Sequence, residues 1–206
     1  MKSKLTLAAL VFVAAGTALT GCAGLTSQAA INASPETVPG SGKLPVRVGV
    51  LVSQTTRDFT VDAHIPLGQW AYPFGKDVER VAQQTFSQVF EEVSIASSPD
   101  YKSYDLIVEP QFDAAATHVD LSMSSAHVVV AMTFDVTSAA GSVWRKSFTG
   151  EMTTGGTYPD MATHGQAMSK AVAAAAAAMR DQLGAAAQPK PAASASAGGP
   201  APWWAK

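Results

Sequence analysis

Hydrophobic side chains recur along this chain at two spacings, and the switches between them mark its elements. From Pro45 to Ser53 the period is two: Val46, Val48, Val50 and Val52 share one face, while Arg47, Gly49 and Leu51 take the other. Such alternation predicts a strand, and a second face that is not strongly polar predicts a central one. From Lys76 to Val93 the apolar or small positions are Val78, Val81, Ala82, Phe86, Val89, Phe90 and Val93, with Asp77, Glu79, Arg80, Gln83, Gln84 and Glu91 on the remaining faces. That stripe predicts an amphipathic helix packed on a sheet. Ser97-Ser98-Pro99-Asp100 breaks the chain, and the period of two returns from Tyr104 to Ala114, with Leu106, Val108 and Phe112 opposite Glu109, Gln111 and Asp113. Pro110 has no N–H to give to a ladder, so this strand is expected to lie at an edge or to bulge.

The strongest alternation runs from His127 to Ser138, where Val128, Val130, Met132, Phe134 and Val136 share a face. Trp144, Phe148 and Met152 repeat it between Ser142 and Thr153, and Ser138-Ala139-Ala140-Gly141 is short enough to make the two an antiparallel hairpin. Thr157, Pro159 and Asp160 match a capping box ahead of a second helix, whose apolar positions are Met161, Met168, Val172, Ala175, Met179 and Leu183. Between Ala171 and Ala178 that helix is nearly all alanine, so it is expected to lie close on the sheet. The order strand, helix, strand, strand, strand, helix predicts an α+β fold: a mostly antiparallel four-stranded sheet with two helices packed on one face.

One stretch has no clear period. Gln54 to Gly75 is punctuated by Pro66, Gly68, Pro73 and Gly75 and carries Phe59, Trp70, Tyr72 and Phe74. Read as an irregular loop, it is long for a compact domain, and such loops are usually functional or disordered. Trp70, Tyr72 and Phe74 occupy alternate positions, so an extended loop presents them on one side. They either anchor a partner or cover one end of the core.

The flanks differ from the middle. Residues 22–43 are rich in Ala, Ser, Thr, Gly and Pro and read as a flexible tether, and residues 185–206 as a disordered tail containing Trp203 and Trp204. One domain, residues 44–184, lies between them. The net charge of -2 and the scattered Arg47, Arg57, Lys76, Arg80, Lys102, Arg145 and Lys146 form no basic stripe, which argues against nucleic acid.

The amino terminus changes the picture most. Lys2 and Lys4 precede an apolar run from Leu5 to Leu19, which is shorter than the roughly 20 residues of a spanning helix and reads as a cleavable signal, residues 1–21. Directly behind it stands Leu19-Thr20-Gly21-Cys22, which resembles the bacterial lipobox. The chemistry requires a thiol to take a diacylglycerol group and small residues upstream so that a signal peptidase reaches the backbone. Cys22 is also the only cysteine, so no disulfide forms within the chain. Acylated Cys22 would hold the protein on a lipid bilayer, because two or three acyl chains at about 0.8 kcal/mol per methylene make release negligible. Ala23 follows it where a retention aspartate stands in inner-membrane lipoproteins of enteric bacteria, and by that resemblance the protein is expected on the outer membrane, facing the periplasm.

No phosphate loop, nucleophile elbow, His-Glu-x-x-His or Cys-x-x-Cys occurs, so no catalytic residue and no cofactor is expected. Asp113, His118, Asp120 and His127 flank one connection and include zinc-ligand types, but their spacing fits no common metal motif and they are read as residues facing water. His64 and His164 are read as solvated or hydrogen-bonded.

The lipobox, the tether and the element order together resemble a group of small envelope lipoproteins: the lipopolysaccharide-assembly lipoproteins, the YajG-type lipoproteins and the lipoprotein of Pel exopolysaccharide export. The pieces that carry the resemblance are Val46 to Val52, Phe86 to Val93 and Val128 to Val136. It implies a non-enzymatic assembly or scaffold component that binds an envelope protein or a second copy of itself. The alternatives are a periplasmic glycan- or lipid-binding module and, at greater distance, a metal-dependent enzyme.

Overall fold

The computed structural model describes residues 27–28, 31, 33–40, 42–65, 68–119, 125–155 and 161–187. In chain order its elements are β1 (Ser27–Gln28), β2 (Leu44–Leu51), α1 (Gln54–Arg57), β3 (Val61–Ile65), β4 (Gly68–Tyr72), α2 (Gly75–Phe86), β5 (Phe90–Ala96), β6 (Leu106–Val119), β7 (Ser125–Ser138), β8 (Gly141–Gly155) and α3 (Met161–Ala187). They form an α+β fold with a five-stranded mixed sheet in the order β5-β2-β6-β7-β8 and a small three-stranded sheet in the order β1-β4-β3. Helices α2 and α3 supply the other half of the main core: Val78, Val81, Ala82 and Phe86 from α2 and Met168, Ala171, Val172, Ala175 and Met179 from α3 are fully buried with Val48, Val50, Val108, Val130, Met132, Phe134 and Val136.

The expected four-stranded, mostly antiparallel sheet is corrected to five strands of mixed direction. The predicted helix ends at Phe86, where the Ser87 hydroxyl and N–H both bond back to the Gln83 carbonyl. Phe90, Val93 and Ile95 continue as β5, which pairs in parallel with β2, Val48 opposite Val93 and Val50 opposite Ile95. Phe86, Val89, Phe90 and Val93 keep the three-and-four spacing of a helix stripe across the end of α2, and the alternation of β5 itself, Val93 and Ile95, is too short to interrupt that pattern. Strand β2 is central as expected, since it also pairs in parallel with β6. Pro110 stands in register opposite Phe134 of β7. Strand β6 lies inside the sheet, but β2 accompanies it only over Leu106–Val108, so the edge expectation holds locally, and the register shift comes further along, between Phe112 and Ala114.

The stretch from Gln54 to Gly75, expected to be irregular, contains α1 and the β3–β4 hairpin, with Val61 opposite Tyr72 and Ile65 opposite Gly68. Its alternating run is only a few residues long and is broken by proline and glycine, which hid it from a pattern reading. Within the stretch read as a tether, Ile31, Ala33 and Val38 are buried against the domain, so packing begins before residue 44.

The β7–β8 hairpin forms as the alternation predicts, closing at Ser138 opposite Gly141, whose φ of +112° is open to glycine and strained for other residues. Helix α3 is 27 residues long. The capping box Thr157 to Asp160 falls outside the described residues. The alanine run brings α3 against β8 as expected. A Cβ placed on Gly150 would collide with the Ala167 carbonyl oxygen and stand 2.7 Å from the Ala171 nitrogen. Among the described residues, no helix is long and apolar enough to cross a membrane.

A second fixture ties β2 to the start of β6. The Arg47 N–H donates to Asp105 Oδ2 at 2.9 Å, its Nη2 donates to Oδ1 at 2.8 Å, and the Asp105 N–H returns a bond to the Arg47 carbonyl at 2.9 Å. The Arg47 side chain, through these bonds and then its charge, holds the Asp105 carboxyl below the ordinary carboxylate range.

Two predictions follow from this packing. Gly150→Val should lower the thermal midpoint by several degrees, since overpacking costs about 1–3 kcal/mol. Gly184→Ala, placed where a Cβ meets nothing within 4 Å, should leave the midpoint unchanged or raise it. Equal midpoints for wild type and Gly150→Val would refute the close approach. For Asp105 the folded pKa is depressed, so its contribution is present above the ordinary value near about 4 and is lost as pH falls through the lower folded value. Asp105→Asn should therefore show a small loss in urea stability at pH 7 that shrinks below pH ~4. A gap that widens in acid would contradict this assignment.

Candidate functional site

The end of the domain beside the small β1-β4-β3 sheet is built from aromatic rings that the chain brings together from β4, β6, α3 and the joins after α1 and before α2. Phe59 follows α1 and stacks on Phe112 of β6, with centroids 4.5 Å apart and planes at 9°. Phe74, between β4 and α2, lies 5.8 Å from Phe112 and 6.3 Å from Phe59. Tyr72 stacks on His164 of α3 at 3.9 Å and 15°, and Phe74 meets the same imidazole at 5.8 Å. The Thr117 hydroxyl lies 2.9 Å from His164 Nε2, and His164 is 1% exposed. Burial pushes the Tyr72 phenol above its ordinary pKa, so it stays neutral at physiological pH.

Outside this cluster a groove of about 410 Å³ opens between α1 and β6, lined by Ser53, Thr55, Thr56, Phe59, Glu109, Gln111 and Phe112. Its walls are held in place locally. Ser53 caps α1 by accepting from the Thr56 N–H at 3.2 Å, and the Thr56 hydroxyl donates to the Pro110 carbonyl at 3.1 Å. That bond joins α1 to β6 where β2 has turned away. Among these lining residues Glu109 alone is ionisable, so they offer a flat aromatic floor, hydroxyls, an amide and one carboxylate. This chemistry suits binding. General acid–base work usually needs a second titratable group poised against the first.

Of the three aromatic residues singled out in the sequence, Tyr72 and Phe74 belong to the core, 5% and 0% exposed. Their expected role as partner anchors is corrected: β4 leads directly into α2, and this short join turns both rings inward against Phe112 and His164. Trp70 lies on β4, opposite Ala63 of β3 and Ser27 of β1, and its side chain is outside what the structure describes.

His118 and His127 are brought directly opposite each other on β6 and β7. His127 Nε2 also lies 3.5 Å from Glu151 on β8. Asp113 stands apart at the register shift, where it accepts from the Thr133 hydroxyl at 2.7 Å. Because the Thr133 proton is used there, the Ser147 hydroxyl, 2.6 Å away, donates to Thr133. Arg145 reaches Gln111 and Asp135 at 3.3 and 3.7 Å. These contacts make a polar cross-strand surface of a common antiparallel kind. Asp120 lies outside the described residues, and among those described no three His, Cys, Asp or Glu side chains converge as a metal site. Cys22, Trp203 and Trp204 also lie outside the described residues.

Sequence reasoning missed the groove and the part played by His164. His164 was legible, since it continues the helical stripe between Met161 and Met168. Phe59 and Phe112 are far apart in sequence, and neither carries a motif.

No family model matches the chain, and no curated protein does. The fold is shared with protein XCC0632 from Xanthomonas campestris, a DUF330 family protein. The likeness covers 73% of this chain and 92% of that one at 11% identity, with a TM-score of 0.50. The chain is also similar, at lower scores, to the PelC dodecamer from Paraburkholderia phytofirmans (14% identity, 68% and 93% of the two chains, TM-score 0.42). A minor lipoprotein from Acinetobacter baumannii is similar at 10% identity over 72% and 100% of the two chains, with a TM-score of 0.38.

Proposed function

We propose that this protein is a lipid-anchored component of the bacterial envelope that works by binding, as an assembly or scaffold element, and not by catalysis. The observation that carries the reading is Leu19-Thr20-Gly21-Cys22, set directly behind a basic and then apolar leader. Cys22 is the lipidation site, and acyl chains of the bilayer are the first partner. Ala23 favours the outer membrane, with the domain facing the periplasm. The second partner is an envelope protein or another copy of the chain, for which the polar face of β6, β7 and β8 is the candidate surface.

The groove favours a second reading, a glycan- or lipid-binding module. Phe59 is half-buried and stacked on Phe112, beside Glu109 and Gln111. An aromatic face packs against the C–H side of a sugar ring or an acyl chain, while a carboxylate and an amide bind hydroxyls. A small set of placed polar groups around an apolar floor is the usual composition of such sites.

Cys22→Ser should abolish palmitate incorporation and leave an unprocessed or soluble species on membrane fractionation. Wild-type protein without palmitate would remove the anchor. Crosslinking in intact cells followed by mass spectrometry should recover an envelope protein, or links between copies that a monomer cannot make. If it recovers neither, and the purified domain binds an oligosaccharide or a lipid in a manner lost in Phe59→Ala with Gln111→Ala, the second reading replaces the first.

A further inference from the structure

The segment upstream of β2 is the least ordinary part of the molecule. It has the composition of a linker, yet it is fastened along both helices. Ile31 and Ala33 pack so closely on α3 that a Cβ on Gly165 would stand 2.8 Å from Ala33 and 2.9 Å from Ile31. The Ala33 N–H donates to Asp77 Oδ2 at 3.4 Å, and Arg80 Nη2 donates to the Ala33 carbonyl at 2.8 Å. Further along, the Val38 N–H donates to Gln88 Oε1 at 3.0 Å, and Gln88 Nε2 donates to the Glu36 carbonyl at 2.9 Å. The Arg180 guanidinium closes the series on the Pro39 carbonyl. From Gly165 to Arg180 the helix axis advances about 22 Å at 1.5 Å per residue. The strap therefore runs the length of the helix layer and has a direction. Before it, the chain meets the fold at β1, with Ser27 and Gln28 in parallel register with Trp70 and Ala71 of β4.

This path fixes how far the domain stands from its anchor. Five peptide units separate Cys22 from Ser27, and at full extension they reach at most about 18 Å. A free linker as far as Lys43 would have a mean reach of about 25 Å and an extended reach near 70 Å, letting any face visit the bilayer. With the strap in place only one end of the domain remains within reach. We infer that the end formed by β1, β3 and β4 faces the lipid headgroups, and that the strap sets this orientation by taking up the slack behind Cys22. The inference rests on the lipid anchor proposed above, and its occupant is the bilayer surface. The opposite end, where Arg180 and Asp181 lie, points away from the membrane.

Because the lone native cysteine carries the lipid, a single introduced cysteine takes a thiol-reactive fluorophore without competition. Asp62→Cys on β3 and Asp181→Cys on α3 place the dye at the two ends, both at exposed positions. The lipidated full chain is reconstituted in phosphatidylcholine and phosphatidylglycerol vesicles that contain a headgroup nitroxide lipid. Quenching should be several-fold stronger at position 62 than at 181. Twenty Gly and Ser residues inserted between Gly24 and Leu25 should bring the two values together while the protein stays bound. Equal quenching at native spacing overturns the orientation, as does protection of position 62 by a crosslinked protein. A difference that survives the insertion overturns the short link between Cys22 and Ser27 as its cause. Palmitate incorporation is measured on the same samples: unlabelled protein sinks the anchor and the orientation with it, whereas labelled protein with equal quenching sinks the orientation alone.

Discussion

The contact on which most of this structure depends is the one between α3 and β8 at Gly150. There the helix backbone at Ala167 and Ala171 comes so near the strand that no side chain fits between them. Such closeness needs glycine on the strand and alanine on the helix, and it determines the height of every other residue on α3. Three residues before Ala167, His164 is lowered into the aromatic cluster, within hydrogen-bond distance of Thr117 and face to face with Tyr72. Two residues before it, Gly165 leaves room on the outer side for Ile31 and Ala33. A bulkier helix would stand off the sheet, and both the cluster and the strap would lose their seat.

Legibility followed the range of the interactions. The β7–β8 hairpin and α3 were readable because their patterns run for a dozen residues or more and their partners are adjacent in sequence. The boundary between α2 and β5 was not, because Phe86, Val89, Phe90 and Val93 keep the helical spacing past the end of α2, and the strand's own alternation, Val93 and Ile95, is too short to stand against it. The parallel pairing of β2 with β5 and β6 was hidden for a different reason: it is made between distant segments, and nothing in Val46 to Val52 distinguishes a parallel neighbour from an antiparallel one. Pro110 is the instructive opposite. Its missing N–H pointed to an edge or a bulge, and although β6 is interior to the sheet, β2 no longer accompanies it at Pro110, where the Thr56 hydroxyl donates to the carbonyl instead.

At the site, the residue types were visible and their roles were not. Alternation at Trp70, Tyr72 and Phe74 says that side chains share a direction, not which direction. The turn from β4 into α2 decides it by burying Tyr72 and Phe74. Phe59 took the more exposed position because it precedes the β3–β4 hairpin and closes on Phe112 from outside. The strap escaped notice on composition alone. Ile31, Ala33 and Val38 are too few to suggest a packed segment, and the groups that hold the backbone between them, Asp77, Arg80, Gln88 and Arg180, are charged or polar residues that a pattern reading assigns to solvent.

The β3–β4 hairpin and the groove have a common root. Phe59 stands just before the hairpin and Phe74 just after it, and the two rings meet across Phe112. The ring cluster therefore joins both ends of the hairpin to the groove wall formed by Phe59 and Phe112. The Gly75 N–H bonded to the Phe59 carbonyl at 3.1 Å and the Arg57–Glu79 ion pair at 3.0 Å brace the same junction against α2. The proposed membrane-facing hairpin and the proposed groove site are therefore adjacent in this domain, while the polar face of β6, β7 and β8 belongs to the sheet on which α3 packs. A partner on that face and a ligand in the groove would act on different supports, which makes the two readings of function separable by mutation.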